Sequence, residues 1–257
     1  MALMASVAAG CRPAAPTGPA EPKPEDSIVR LDSDWPTYID PAVGNDFSDS
    51  ISLVNLYDSL VFPNFDGTVR PHLATRWDVS PDGLEYTFYL RTGVKFHNGD
   101  ELTAEDVEFS MKRLLTIGQG FAYLFLHVTS VSVVDRYTVK MTLNEPFAPF
   151  ISALVRFYVL NKRQVLANRR SGPYGDMGDY GKEWLLTNDA GSGPYKVKEM
   201  KMEEYLLAER FDDWWDGWDE NAPRFFKLFA SPDPVTLRQG GVVVGGGREG
   251  GTIVPLL

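Results

Sequence analysis

The sequence predicts a mixed α/β fold, and three local patterns support this prediction. Apolar residues alternate with more polar ones over residues 84–91, as in a half-buried strand. Thr103 and Asp106 stand at the two ends of a helix-capping box, and apolar residues at helical spacing follow it. Residues 131–133 and 138–143 predict two paired strands. Because strands and helices alternate without a strict βαβ repeat, a mixed sheet is favoured over a parallel one.

The composition indicates a globular protein and excludes several functions. Of 257 residues, 44% are hydrophobic and 23% are charged, which is ordinary for a chain with a buried core. A net charge of −10 argues against a nucleic-acid partner, since phosphate contacts require clustered lysine and arginine. No run approaches the ~20 apolar residues of a membrane span. The three histidines are widely separated, and no nucleophile elbow or phosphate-binding loop is present, so we expect no metal and no cofactor.

The amino-terminal segment, residues 1–27, is expected to contain a signal remnant and a tether. Cys11, the single cysteine, follows small apolar residues that resemble the cleavage box of bacterial lipoproteins, which predicts a lipid anchor at this residue. Ala8 departs from that pattern and no basic residue precedes Arg12, so we expect a longer signal that begins upstream of Met1. A chance Ala-Gly-Cys sequence in a disordered end is the alternative. Five prolines within residues 12–26 favour an extended spacer, or an ordinary disordered terminus.

The remaining elements follow from local patterns in chain order. We expect a first strand at residues 28–31, a helix at 50–60, a turn at 80–83, a short helix from Phe150, a loop at 172–181 and paired strands at 195–197 and 205–210. The turn at residues 191–194 is rich in glycine, which suits either a hinge or a tight turn. Seven glycines between residues 240 and 251 predict an unstructured tail, 239–257.

Several segments together resemble one protein family. The sequence over residues 70–77, 80–88 and 90–107 closely resembles the signature of the family 5 extracellular solute-binding proteins of bacterial ABC importers. The turn at 191–195 and the stretch 209–215 resemble later parts of the same family. The resemblance extends over roughly residues 31–234.

This resemblance implies periplasmic-binding-protein-like lobes of type II. Residues 28–60 and 190–238 would build a first lobe, and residues 61–189 an inserted second lobe. Family members have a further large lobe that closes over the ligand by hinge motion. Since the resemblance fades at residues 236–238, we expect this chain to be the amino-terminal part of such a protein.

The resemblance also implies a function. We expect the binding component of an ABC importer, which captures peptides or oligosaccharides and catalyses no reaction. Its expected partners are the solute and the permease subunits. We expect an extracytoplasmic, monomeric protein that meets the membrane only through its lipid anchor. A secreted carbohydrate-active enzyme and a sensory or interaction module are the alternatives.

Candidate ligand-binding residues are aromatic or acidic and lie in three places. The segment after the first strand, residues 32–35, supplies Asp34 and Trp35, and the loop at residues 172–180 supplies Tyr180, with Trp184 shortly after it. The alternative is that both segments are plain surface loops. Trp214 belongs to an acidic aromatic stretch, where it is either a stacking platform for a ligand or part of aromatic packing. Asp212 and Asp213 are poor glycosidase candidates, because adjacent strand residues point to opposite faces.

Overall fold

The computed structural model describes residues 26–32 and 35–230. Cys11, Asp34, almost all of the expected tether and the glycine-rich tail lie outside these residues.

The described chain contains strands and helices in mixed order. The strands are Ser27–Asp32 (β1), Val61–Pro63 (β2), Val69–Pro71 (β3), Ala74–Val79 (β4), Glu85–Leu90 (β5), Val128–Asp135 (β6), Thr138–Leu143 (β7), Tyr195–Lys201 (β8), Tyr205–Arg210 (β9) and Phe225–Ala230 (β10). The α-helices are Phe47–Leu56 (α1), Ala104–Ile117 (α2), Phe150–Ala153 (α3) and Lys162–Ala167 (α4). Short 3₁₀ turns cover Ala122–Phe125, Leu154–Arg156, Gly175–Met177 and Trp184–Leu186. The predicted mixed α/β fold is confirmed.

The first sheet joins the two ends of the described chain. Its strand order is β1-β10-β9-β8, with β1 parallel to β10 and the other neighbours antiparallel. The predicted first strand and the predicted pairing of β8 with β9 are confirmed. Strand β10 is not predicted, because only Lys227 interrupts its apolar residues and no alternation is visible. Phe226 and Leu228 are nevertheless its buried side chains.

The second sheet is built from the middle of the chain. Its order is β4-β5-β7-β6, and every neighbouring pair is antiparallel. Tyr86 and Phe88 of β5 lie opposite Met141 and Val139 of β7, and all four are buried on one face. Helix α2 packs across β6 and β7. Both strand predictions in this region are therefore confirmed.

Helix ends follow the capping residues. The helix predicted at residues 50–60 is observed as α1, so the predicted bounds are wrong at both ends. Asp46 begins it by accepting a hydrogen bond from the Asp49 N–H at 2.6 Å, and Tyr57 ends it in an extended conformation. In α2 the predicted box is confirmed, since the Asp106 carboxylate accepts from the Thr103 N–H at 2.9 Å and from its hydroxyl at 3.0 Å.

Strands β2 and β3 pair in a third, two-stranded sheet, and one hydrophobic core runs through both four-stranded sheets. It includes Leu206 and Phe226 from the first sheet, Phe88 from the second, and Leu56 and Met111 from the helices, each at most 2% exposed. Because the same core contacts both sheets, the fold holds the surrounding loops in fixed relative positions.

Candidate functional site

Three loops surround an open cavity of about 810 Å³, here named the interloop cavity. The loops are residues 38–45 after β1, residues 118–120 after α2, and residues 171–186. The lining residues are Tyr38, Asp40, Val43, Asn45, Gly118, Gln119, Gly120, Ser171, Asp179, Lys182, Glu183 and Leu186. A cavity of this size is in the range that holds a small ligand.

A buried arginine connects two of these loops beneath the cavity. The Arg113 guanidinium, 0% exposed, donates to both carboxylate oxygens of Asp40 at 2.6 Å each. Its Nε donates to the carbonyl of Tyr180 at 2.9 Å. A two-pronged contact of this kind is among the strongest hydrogen-bonded ion pairs. Arg113 therefore holds the 38–45 loop and the 171–186 loop at a set distance from α2.

The 38–45 loop is held by a second carboxylate. Asp49 accepts hydrogen bonds from the N–H of Tyr38 at 2.9 Å and of Asn45 at 3.1 Å. Burial raises the pKa of Asp49, although these N–H groups oppose the rise. A β-carbon at Gly44 would lie 2.8 Å from the Tyr38 carbonyl oxygen, so this glycine is needed for close packing.

The 171–186 loop has its own internal support. The Asp179 carboxylate accepts from the N–H groups of Arg170 at 2.8 Å, Gly181 at 2.8 Å and Glu183 at 3.0 Å. Burial raises the pKa of Asp179, but these three donors outweigh it and lower the pKa below its usual value. Tyr180 follows in the left-handed region with φ +56°. The loop that the sequence predicts at 172–181 is thus an ordered structure.

The predicted ligand-binding residues Trp35, Tyr180 and Trp184 differ in burial. Trp35 is half-buried, and its indole N–H is a buried donor for which the described residues provide no partner. Tyr180 is 8% exposed, and its ring packs near those of Phe109 and Tyr174. Trp184 is half-buried in the 3₁₀ turn whose last residue lines the cavity. Tyr180 and Trp184 do not line the cavity themselves, although their chain neighbours Asp179 and Glu183 do, and Asp34 is outside the described residues.

Trp214 lies in aromatic packing near the first sheet. It is 5% exposed, and its ring centroid is 6.0 Å from that of Trp215 and 5.3 Å from that of Trp218. It does not line the interloop cavity. The neighbouring Asp212 and Asp213 are strongly exposed and pair with Arg210 and Lys95, respectively. They lack the burial that a glycosidase acid needs.

Sequence patterns do not reveal two buried polar junctions. At the first, Asp58 accepts from the Ser192 hydroxyl at 2.9 Å and the Trp215 indole at 3.1 Å, and His72 Nε2 lies 2.9 Å away. The serine contacts the carboxylate and not the imidazole, so this trio is not a nucleophile–base pair. One feature of the sequence could have drawn attention to this junction, because Asp58 is a charged residue within an apolar run.

At the second junction, His97 bonds to Asp189 through Nδ1 and lies 2.9 Å from the Gly193 carbonyl oxygen through Nε2. With acceptors at both nitrogens, the charged imidazolium is favoured. Burial lowers the pKa of His97, but Asp189 and Gly193 outweigh that effect and raise it. Both junctions join an earlier part of the chain to the turn at residues 191–194.

Within residues 26–32 and 35–230, no cluster of histidine, cysteine, aspartate and glutamate could hold a metal ion. The same part of the chain contains no helix with the length and apolar character needed to cross a bilayer.

The fold is that of periplasmic binding proteins. The chain superimposes with a TM-score of 0.69 on the ABC transporter-associated periplasmic binding protein DppA from Helicobacter pylori, solved with the peptide STSA, at 27% identity and over 84% of this chain and 45% of that one. For NikZ from Campylobacter jejuni, solved with Ni(L-His), the TM-score is 0.73 over 86% and 43% of the two chains. At 24% identity, this second likeness shows the fold alone.

The sequence comparisons define the family. The family described as "Bacterial extracellular solute-binding proteins, family 5 Middle" matches residues 68–237, and the chain belongs to it. The probable D,D-dipeptide-binding periplasmic protein DdpA of Escherichia coli K12 is 34% identical over 189 residues, which cover 72% of this chain and 36% of that protein. The chain thus spans about a third of the length of that relative. The family resemblance expected from the sequence is confirmed.

Proposed function

We propose that the chain contributes to peptide capture for an ABC importer and that the interloop cavity forms one wall of the ligand site. The observation that supports this proposal is the cavity itself, which lies between residues 38–45 and the 171–186 loop. The second of these regions contains the sequence-predicted contacts Tyr180 and Trp184, whereas Asp34 and Trp35 precede the residues 38–45 that line the cavity. Relatives named for binding dipeptides and glutathione support peptides over oligosaccharides as the solute.

The proposal includes a division into lobes. Residues 28–60 and 190–238 belong to a first lobe and residues 61–189 to an inserted one. The pairing of β1 with β10 supports this division, because it brings distant parts of the chain into one sheet. The facing wall corresponds to the part of the relatives that the matches do not cover, and hinge closure between the walls would trap the solute.

The proposed location is extracytoplasmic, with Cys11 as the lipid anchor and with permease subunits as partners of a monomer. Solute binding needs no reaction at the site, in agreement with the relatives, whose names describe binding proteins. The exposed, paired state of Asp212 and Asp213 gives the alternative of a carbohydrate-active enzyme no support.

A titration followed by NMR tests this function. ¹⁵N-labelled chain is mixed with alanyl-alanine, trialanine or maltotriose up to ~10 mM, because a single wall binds weakly and millimolar affinities correspond to only about −4 kcal/mol. We expect saturable shifts for a peptide at residues 38–45 and 171–186. Asn45→Trp, which fills the cavity, should abolish them, whereas Val134→Trp on exposed β6 should not.

Two results would contradict the proposal. One is the absence of saturable shifts at the cavity with either peptide. The other is saturation by maltotriose alone, which would assign the site to oligosaccharides.

A further inference from the structure

A second open cavity, of about 530 Å³, shares no lining residue with the interloop cavity. It is formed by residues 100–106, which lead into α2, by Arg136 in the turn between β6 and β7, and by residues 161–169 in and after α4. We name it the arginine groove. Its volume is in the range of sites that hold a small ligand.

Two arginines that line the groove use only part of their donors. Arg136 donates to the Tyr137 hydroxyl at 3.0 Å and to the Glu101 carboxylate at 2.6 Å. Arg163 donates twice to the Asp100 carboxylate. Since a guanidinium carries five N–H donors, each of the two keeps three that no group in the described part of the chain accepts.

The exposed charge of these two ion pairs is positive. The Arg163 side chain is 78% exposed and that of Asp100 only 23%. The Arg136 side chain is 61% exposed and that of Glu101 35%. The guanidinium groups therefore face the solvent, while the carboxylates lie deeper.

Arg169 adds a cation without a carboxylate. It is exposed, and its only hydrogen bond within the described residues is donated to the Leu166 carbonyl at 2.6 Å. The opposing group is Glu105, which is more exposed than its partner Lys162. Three exposed arginines against one such glutamate leave the rim of the groove positive, although the whole chain carries a net charge of −10.

We propose that the arginine groove binds an acidic segment of a partner protein. The planar fork of an arginine matches the geometry of a carboxylate, so a segment with several aspartates or glutamates can contact all three arginines at once. A concave site admits a chain segment, whereas the flat surface of a bilayer meets only its rim. The proposal is independent of solute capture, because the groove and the interloop cavity are lined by different residues.

The test titrates the ¹⁵N-labelled chain with a hexaglutamate peptide that is acetylated and amidated at its ends. The salt concentration is kept at ~20 mM, because salt screens exposed charges. We expect saturable NMR shifts at residues 100–106 and 161–169, which a blocked hexalysine does not cause.

A pair of matched double variants separates the groove from overall charge. Arg163→Gln with Arg169→Gln should weaken binding of hexaglutamate about 5-fold, in line with two exposed charge contacts. Arg76→Gln with Arg224→Gln removes two arginines of other surfaces, 60% and 58% exposed, and changes the net charge equally. This control should change the affinity less than about 2-fold. Spectra of the free variants that match those of the unsubstituted chain establish that each is folded.

Three results would overturn the proposal. The first is the absence of saturable shifts at the groove with hexaglutamate. The second is equal weakening by the two double variants, since binding would then follow net charge alone. The third is sedimentation of the chain with vesicles of phosphatidylglycerol and phosphatidylcholine that is lost in the groove variant and is not inhibited by hexaglutamate, which would assign the groove to a lipid surface.

Discussion

Single buried charges connect parts of the chain that are far apart in sequence. Arg113 reaches Asp40 and Tyr180, and Asp58 reaches Ser192 and Trp215. A buried charge is costly without a partner, so each contact fixes the segment that supplies the partner. At the scale of residues, the geometry of the candidate site therefore depends on groups that no solute needs to touch.

Removing Arg113 should be strongly destabilising. Arg113→Met leaves the Asp40 carboxylate buried and unpaired, and we expect the free energy of unfolding to fall by about 3–5 kcal/mol. Urea denaturation measures this change. The neighbouring Lys112→Met is the matched control, because it removes only an exposed pair with Glu108 and should cost less than about 1 kcal/mol. An equal fall in the free energy of unfolding for the two variants would show that the buried pair contributes no more to stability than the exposed pair.

His97 should make stability dependent on pH. Its folded-state pKa is raised above the ordinary 6.5, so the stability it contributes is fully present below about pH 6.5 and is lost as the pH rises through the folded-state pKa. Burial raises the pKa of Asp189, but His97 outweighs that effect and lowers it, so the contribution of Asp189 disappears on acidification. We expect the free energy of unfolding to decline above pH 6.5.

Urea denaturation between pH 5 and 9, in steps of ~0.5 pH unit, measures this decline. Closely spaced points are needed because a pKa shift of one unit changes the free energy of unfolding by only about 1.36 kcal/mol. His97→Gln should flatten it. His127→Gln is the control, because His127 pairs with Glu145, which is 65% exposed. A decline that persists unchanged in His97→Gln would remove His97 as its cause.

At the scale of elements, the turn before β8 is limited by space. Gly191 and Gly193 lie directly against the end of α1, where added β-carbons would come within 1.9 Å of the Leu56 carbonyl oxygen and 2.6 Å of the Tyr57 nitrogen, respectively. Neither glycine is among those with positive φ. Close approach of the backbones, rather than a special dihedral angle, therefore explains both glycines.

Gly191→Ala should push α1 and the turn apart. We expect a loss of about 3 kcal/mol in the free energy of unfolding, because overpacking against backbone has no flexible side chain to absorb it. Gly175→Ala is the contrast: it has φ +59° and open space, so only roughly 1–2 kcal/mol of backbone strain is expected. Urea midpoints compare the two, and a smaller loss at Gly191 than at Gly175 would contradict the steric explanation.

At the scale of the whole molecule, the two four-stranded sheets share one core, and two buried polar junctions add to it. We therefore expect a single cooperative unfolding transition, with coincident urea curves from far-UV circular dichroism and tryptophan fluorescence. Amide hydrogen exchange should give similar free energies of opening for β7 and β9, which belong to different sheets. Separate transitions, or protection that persists in one sheet after the other has opened, would show that the sheets fold independently.

The sequence predicts elements best where the pattern is local. The alternation in β5, the capping box of α2 and the β6–β7 pair are each contained in a few residues, and all are confirmed. Strand β10 is missed because its partly buried face, with Phe225 and Phe229, is nearly as apolar as the face that carries the buried Phe226 and Leu228, which leaves no alternation to detect. The predicted bounds of α1 are wrong because Asp46, not Ser50, begins the helix.

The candidate site is less accessible to sequence reasoning. The sequence predicts ligand contacts in the loops near Trp35 and Tyr180 only from the position of these loops in the family pattern. That Lys182 faces Gln119, or that Arg113 reaches Asp40, follows from contacts between residues more than 60 positions apart. Such pairs leave no periodic or compositional signal in a single sequence.

By itself, the sequence determined the mixed α/β fold, most of the secondary structure and the family, since local periodicity and a long signature carry that information. Only the tertiary structure decided which loops meet, which charges are buried and paired, and that a lysine with a neutral partner lines the cavity. The physical reason is that burial and ion pairing depend on distances in space, which the order of residues does not specify until the core brings the elements together.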